Sequence, residues 1–189
     1  TSDANAIVIE AQNLFGPRSC EIHGIKTFNG AKADDVILKT ASVIINTKSP
    51  LASVFDDVII GKQAILPEVD DIVYEDRLGT TGWIYRKKIV IGTRDLLIHH
   101  GVPVLKEDFE KKYTRKGRKV LYLAEAGKLM AMFVVSYSAD PQLKKALRKL
   151  EKSGMTILVR SADPFTNDES IAELFELPDG YIRVMNSSN

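Results

Sequence analysis

The chain has 189 residues, 44% of them hydrophobic and 27% charged, and 26 Lys and Arg nearly balance 25 Asp and Glu for a net charge of +1. That is a globular composition, long enough for one large domain or two small ones with a real core. The balance argues against nucleic acid or an anionic membrane as a broad electrostatic partner, the lone Cys20 excludes an internal disulfide and a cysteine-rich zinc site, and no apolar run nears the ~20 residues that span a bilayer.

Ala6 to Ile9 is a short apolar run that predicts a buried strand, closed by the turn signal Gly16-Pro17. Glu21 to Phe28 alternates at about period two and ends at Asn29-Gly30, a strong turn dipeptide. Ala33 to Ile45 follows a helical pattern through Val36, Ile37, Thr40 and Val43. Ser49-Pro50 predicts a second helix, Ser49 as N-cap and Pro50 in its first turn, running to about Ile60 and closed by Gly61. Ile72 to Ile91 reads as three short strands, the last two joined at Arg86-Lys87-Lys88, and Thr93 to His100 as a helix with Leu96 and Leu97 inward. Glu107 to Arg118 is so highly charged that a solvated helix face or linker is expected.

The last third changes character. Lys119 to Ala124 and Lys128 to Val135 predict strands, Pro141 to Ser153 an amphipathic helix, and Met155 to Val159 a continuous apolar strand of the kind buried in parallel sheets. A helix over Asn167 to Phe175 and a strand over Tyr181 to Met185 complete a doubly wound α/β pattern. Ala6 to Ile9 shares the buried character of Met155 to Val159, so the expected layout is an α/β domain, residues 1–16 and 116–189, interrupted by an inserted α+β domain, residues 17–115. The first strand should then share one parallel sheet with Lys119 to Val135 and Met155 to Val159. The N-terminus has no basic segment followed by an apolar signal region, so a cytosolic piece is expected. A chain that opens almost directly on one strand and stops after another reads as part of something longer.

In an open α/β sheet the ligand site lies beyond the carboxyl ends of the strands. Glu10 and Asp163 both fall at such ends. A carboxylate on the first strand is where an aspartyl-phosphate enzyme keeps its nucleophile, although a solvated strand end is the commoner meaning of either residue.

Four stretches in order resemble the heavy-metal-type P-type ATPases of the haloacid dehalogenase-like superfamily. Thr47 to Ala52 resembles the family's SEHPLA. Gly79-Thr80-Thr81-Gly82, then Lys88 to Leu97, resembles the later part of GxGxxG and then VLVGNRxLL. Gly127 to Leu129, with Pro141 and its helix, resembles the strand and helix before the TGD motif. Met155 to Asp163, with Ser170 to Ala172, resembles that motif and its helix. The resemblance covers nearly the whole chain. It implies phosphorylation and nucleotide-binding domains hung from the transmembrane helices of a longer parent on its cytoplasmic side, with ATP and Mg²⁺ as cofactors of an active member.

The departures imply an impaired site. Glu10 stands where the family's DKTGTLT has its phosphorylated Asp, with Ala11 and Gln12 in place of Lys and the first Thr; TGD becomes Ser161-Ala162-Asp163. The resemblance puts Ser49 at a nucleotide-contacting His, Ile44 at an acidic residue, Arg77 at the first Gly of GxGxxG, and Thr93 at an Asn, while Gly79 and Gly82 are kept. The expected site is therefore Glu10, Ser161 and Asp163 for chemistry and Ser49, Gly79, Gly82 and Thr93 for nucleotide, with no bound cofactor and at most weak nucleotide or phosphate. The Mg²⁺ segment GDGxNDxP has no counterpart up to Asn189, where it would begin. An active ATPase with a variant site, or a module that binds something other than ATP, are the alternatives.

His99-His100 and the Cys20/His23 pair lack further ligands at metal spacing, so no metal site is expected. Trp83 and Tyr85 could stack on a base, but one packed and one exposed ring is the plainer expectation.

Overall fold

The computed structural model describes residues 6–16 and 18–186. In chain order the elements are β1 (Ala6–Glu10), α1 (Ala11–Leu14), β2 (Cys20–Thr27), α2 (Ala33–Ile44), α3 (Ala52–Val58), β3 (Asp70–Glu75), β4 (Gly79–Ile84) and β5 (Lys87–Gly92). Then follow α4 (Arg94–His99), α5 (Glu107–Lys111), β6 (Lys119–Glu125), β7 (Lys128–Tyr137), α6 (Pro141–Lys152), β8 (Thr156–Ser161), α7 (Asp168–Phe175) and β9 (Ile182–Asn186). The strands form a three-stranded sheet ordered β1-β8-β9 and a six-stranded sheet ordered β2-β7-β6-β5-β4-β3. The small sheet is parallel, with Glu10 opposite Arg160; the large one is antiparallel throughout.

The pairing of β1 with β8 is as expected, but the placement of 119–135 is corrected. β6 and β7 belong to the antiparallel sheet, between β5 and β2. The insert's sheet therefore runs from Cys20 to Tyr137, and the expected boundary at 115/116 falls inside it. The cause is burial on both faces. Leu121 and Leu123 point into one core while Val120, Tyr122 and Ala124 point into another. A strand covered on both sides reads as a continuous apolar run whether its neighbours are parallel or not. Local turn chemistry is the better guide: Ala126 and Gly127, at φ 50° and 81°, make the tight antiparallel hairpin that joins β6 to β7.

The hairpin between β4 and β5 likewise turns on Tyr85 and Arg86, both left-handed, one step before the expected Arg86-Lys87-Lys88. α3 starts at Ala52 rather than at the expected Ser49 cap. α6 and α7 carry N-caps, Asp140 accepting from Leu143 N–H and Asn167 from Ser170 N–H.

One core joins the two sheets. Ile157 and Val159 of β8 and Phe175 of α7 lie in the same buried cluster as Phe55 of α3 and Leu121 and Phe133 of the large sheet. Phe55 and Phe133 meet edge-to-face at 5.3 Å, worth ~0.5–1.5 kcal/mol beyond their area. The large sheet's other face is covered by α4 and the segment around Phe109 and Tyr113. Among the described residues no helix is long and apolar enough to cross a membrane.

Candidate functional site

β8 ends at Ser161, and the chain turns through Ala162 to Asp163, beyond the carboxyl edge of the parallel sheet. Ser161 Oγ accepts from Asp163 N–H at 3.1 Å, which fixes the turn. The Asp163 side chain then points inward, and the residue is 2% exposed.

Its carboxylate is saturated. Oδ1 accepts from Ser49 Oγ at 2.7 Å and from Tyr137 OH at 3.0 Å. Oδ2 accepts from Thr166 Oγ1 at 2.8 Å, Tyr137 OH at 2.9 Å and Phe165 N–H at 3.2 Å. Ser49 Oγ accepts in turn from Leu51 N–H at 3.0 Å. Burial pushes the Asp163 carboxyl above its ordinary range, against the pull of Ser49, Thr166, Tyr137 and Phe165. Burial first, and then Asp163, drives Tyr137 well up, and the Cys20 thiol is raised for the same two reasons. Cys20 is itself buried, at 6% exposed.

Two expected site residues from opposite ends of the sequence, Ser49 and Asp163, therefore meet, with Ser161 beside them. They meet as a closed hydrogen-bonded knot between the two sheets. The space beside it, lined by Ile44, Ser49, Gly79, Thr80, Ala162 and Asp163 among others, is only ≈20 Å³. Ligand pockets are typically ~300–1,000 Å³. Ala162, Asp163 and Pro164 form one wall of this small space.

The remaining expected residues are held by the fold. Gly79 has φ +145°, and a Cβ there would lie 2.2 Å from Ile91 O and 2.6 Å from Gly92 Cα. Gly82 would meet Val69 Cγ1 at 2.8 Å. Both glycines serve close packing of β4. Replacing Gly79 by Ala should lower stability by ~2–4 kcal/mol, from strain plus overpacking, in thermal or urea unfolding. A loss below ~0.5 kcal/mol would show that the glycine is not needed for the fold. Thr93 caps α4, accepting from Leu96 N–H and donating to Leu78 O. Arg77 sits at φ 64° in the β3–β4 turn, against the ends of β8 and β9 near Ser161 and Val184.

Glu10 ends β1 and opens α1 without capping it. Its Oε1 lies 3.7 Å from Arg160 Nη1, and its buried Oε2 has no hydrogen-bond partner among the described residues. Gln12 and Asn13 border a larger cleft of ≈830 Å³ with Arg18, Cys20, Ser49 and Asp57. Among the described residues there is no group of three His, Cys, Asp or Glu side chains able to hold a metal ion. The Asp163 carboxylate, fully engaged by its five hydrogen bonds, does not fit as a ligand to Mg²⁺, and the ≈20 Å³ cavity beside it is too small to hold ATP by itself.

Sequence reasoning missed Tyr137 and Thr166. Thr166 carried a local signal, an Asp followed three residues later by a hydroxyl in a turn. Tyr137 carried none, since its bond to Asp163 closes only in three dimensions.

A parallel sheet with a six-stranded antiparallel sheet inserted after its first strand is the fold seen in P-type ATPase structures. Over 95% of its length the chain superposes on 29% of a zinc-transporting PIB-type ATPase in the E2.Pi state, with a TM-score of 0.54 and 11% identity. It matches 99% of the N-domain of HMA6, a copper-transporting P-type ATPase, over 64% of its own length, at TM-score 0.51 and 16% identity. In sequence it is 22% identical over 171 residues, 90% of the chain, to Copper-transporting ATPase 2 of Rhizobium meliloti (strain 1021). It spans about a fifth (21%) of that relative's length. No protein-family model matches the chain.

Proposed function

We propose that the chain is the cytosolic phosphorylation and nucleotide-binding-like region of a longer heavy-metal P-type ATPase-like membrane protein, haloacid dehalogenase-like in its parallel part. It is catalytically impaired and serves its parent as a regulatory or structural module, docked on the parent's transmembrane helices. The observation that carries this reading is the saturated Asp163 carboxylate, bonded to Ser49 across the two sheets, with only ≈20 Å³ left beside it. An ATPase cycle needs a carboxylate in line with the γ-phosphate, cationic relief of the developing charge, and a metal. Glu10 has a longer side chain than Asp and Ala11 no charge, and misplacing a nucleophile by ~1 Å costs on the order of a hundredfold.

Calorimetric titration of ATP, with and without Mg²⁺ at ~0.15 M salt, tests this. The expected dissociation constant is no tighter than about millimolar, equivalent to ~4 kcal/mol. A low-micromolar constant would overturn the reading in favour of a working ATP site.

A further inference from the structure

The opposite face of the large sheet carries a different kind of site. Ile91 and Leu121, beside the Asp163 knot, belong to the first core; Met132 and Val134 belong to the second. Over Met132, Val134 and Tyr113 lies a groove of ≈460 Å³. It is rimmed by Lys26 of β2 and by Lys112, Arg115, Lys116 and Arg118 of the segment after α5. Among the described residues no acidic one lines it.

This clustering is local, in a chain whose net charge is only +1. Among the described residues none of these five cations has a carboxylate within 4.0 Å, whereas Lys39, Lys144 and Arg160 each do. The fold also holds them together. Lys26 and Lys112 both stand over the Phe109 ring, 4.9 and 5.7 Å from its centroid, where its π-electrons attract each ammonium. The turn at Lys116 and Gly117, with φ 60° and 74°, brings Arg115, Lys116 and Arg118 to the same groove. Like charges gathered around a concavity repel one another and focus a positive potential into it, which an anion relieves.

The geometry points to a binding site for a small phosphorylated ligand carrying at least two phosphate groups. Cations from β2 on one side and residues 112–118 on the other suit an extended polyanion rather than a single ion, and a volume of ≈460 Å³ suits a small molecule. Arginine adds bidentate hydrogen bonding to phosphate, and lysine adds point charge. The apolar floor can take the non-phosphate part of the ligand. The same chemistry is offered by a soluble polyphosphate ester and by a phosphoinositide headgroup.

The test uses the full chain and inorganic tripolyphosphate in low-salt buffer, followed by calorimetry. The double variant Arg115→Glu/Lys116→Glu is compared with Arg86→Glu/Lys87→Glu, which changes net charge equally on a different hairpin. Expected is sub-millimolar binding, weakened at least tenfold by the first pair and less than twofold by the second. Absence of binding, or equal loss in both pairs, would overturn the site. Vesicles of phosphatidylcholine with phosphatidylinositol bisphosphate, set against phosphatidylcholine alone, separate the sources. Cosedimentation abolished by Arg115→Glu/Lys116→Glu assigns the headgroup, and tripolyphosphate binding without cosedimentation assigns a soluble ligand. ATP is itself a triphosphate, so its signal is sorted with the same variants. Heat lost with Arg115→Glu/Lys116→Glu belongs to the groove, and heat that persists comes from a site outside it and counts against the proposed function, so this inference and the proposed function fail separately.

Discussion

Replacing Asp163 by Ala should cost the fold ~3–5 kcal/mol, because it strips the partner from four donors at once, those of Ser49 and Thr166 on buried residues and those of Tyr137 and Phe165 on part-buried ones. Ser49 Oγ, Tyr137 OH, Thr166 Oγ1 and Phe165 N–H all give their hydrogen bonds to this carboxylate. Ser49 and Thr166 are only 4% and 5% exposed, so little solvent reaches their hydroxyls to take over these bonds, even though Ser49 borders the ≈830 Å³ cleft. At ~2–4 °C per kcal/mol for a chain of this size, the melting temperature should fall by roughly 10 °C. A carboxylate poised in an open active site behaves oppositely: its removal is often neutral or stabilising. A shift of less than ~2 °C would therefore contradict the structural role assigned to Asp163.

The same group gives stability a pH dependence whose sign follows from its environment. Burial raises the folded-state pKa above the ordinary aspartate value of 3.8. Between that value and the raised one, the folded state binds the proton and the unfolded state does not. The contribution is thus full below the unfolded pKa and is lost as pH rises through the folded pKa. In wild type, stability from this group should decline as pH rises from 3.8 through the raised folded-state pKa and level off above it, and Asp163→Asn should remove that slope.

The parallel pairing of β1 with β8 was legible because both are short apolar runs, and short-range signals fixed many of the turns. Asn29-Gly30 and Gly61 mark turns with positive φ where expected. β6 and β7 were misassigned because two-sided burial erases the alternation that marks an antiparallel strand, as Tyr122 and Leu123, both essentially buried on opposite faces, illustrate. At the site, a family resemblance singled out Ser49 and Asp163, yet their hydrogen bond joins residues 114 positions apart and has no local signature. Gly79 shows the converse. Its retention resembled a nucleotide motif, while the structure explains it by a Cβ clash with Ile91 O at 2.2 Å. The charged stretch Glu107 to Arg118 was read as a solvated helix face or linker; what the sequence could not display is that β2 sets Lys26 against it over Phe109.

The second large effect concerns covalent chemistry. An active site of this class forms an acyl phosphate on the first strand. Here Glu10 is held beside Arg160, Ala11 is fully buried and uncharged, and the acid that follows β8 is locked in its knot. Restoring one residue leaves the other two obstacles, so Glu10→Asp should gain nothing. Loosening the knot as well, with Ser49→Ala in the Glu10→Asp background, still leaves no charge at position 11 and should also stay silent.

The most direct measurement incubates the chain with radiolabelled ATP and Mg²⁺, quenches in acid and resolves the protein on an acidic gel. The account predicts no labelled band in wild type or in Glu10→Asp. A wild-type band that disappears in Glu10→Gln would show Glu10 to be a working nucleophile and would contradict the impairment proposed above.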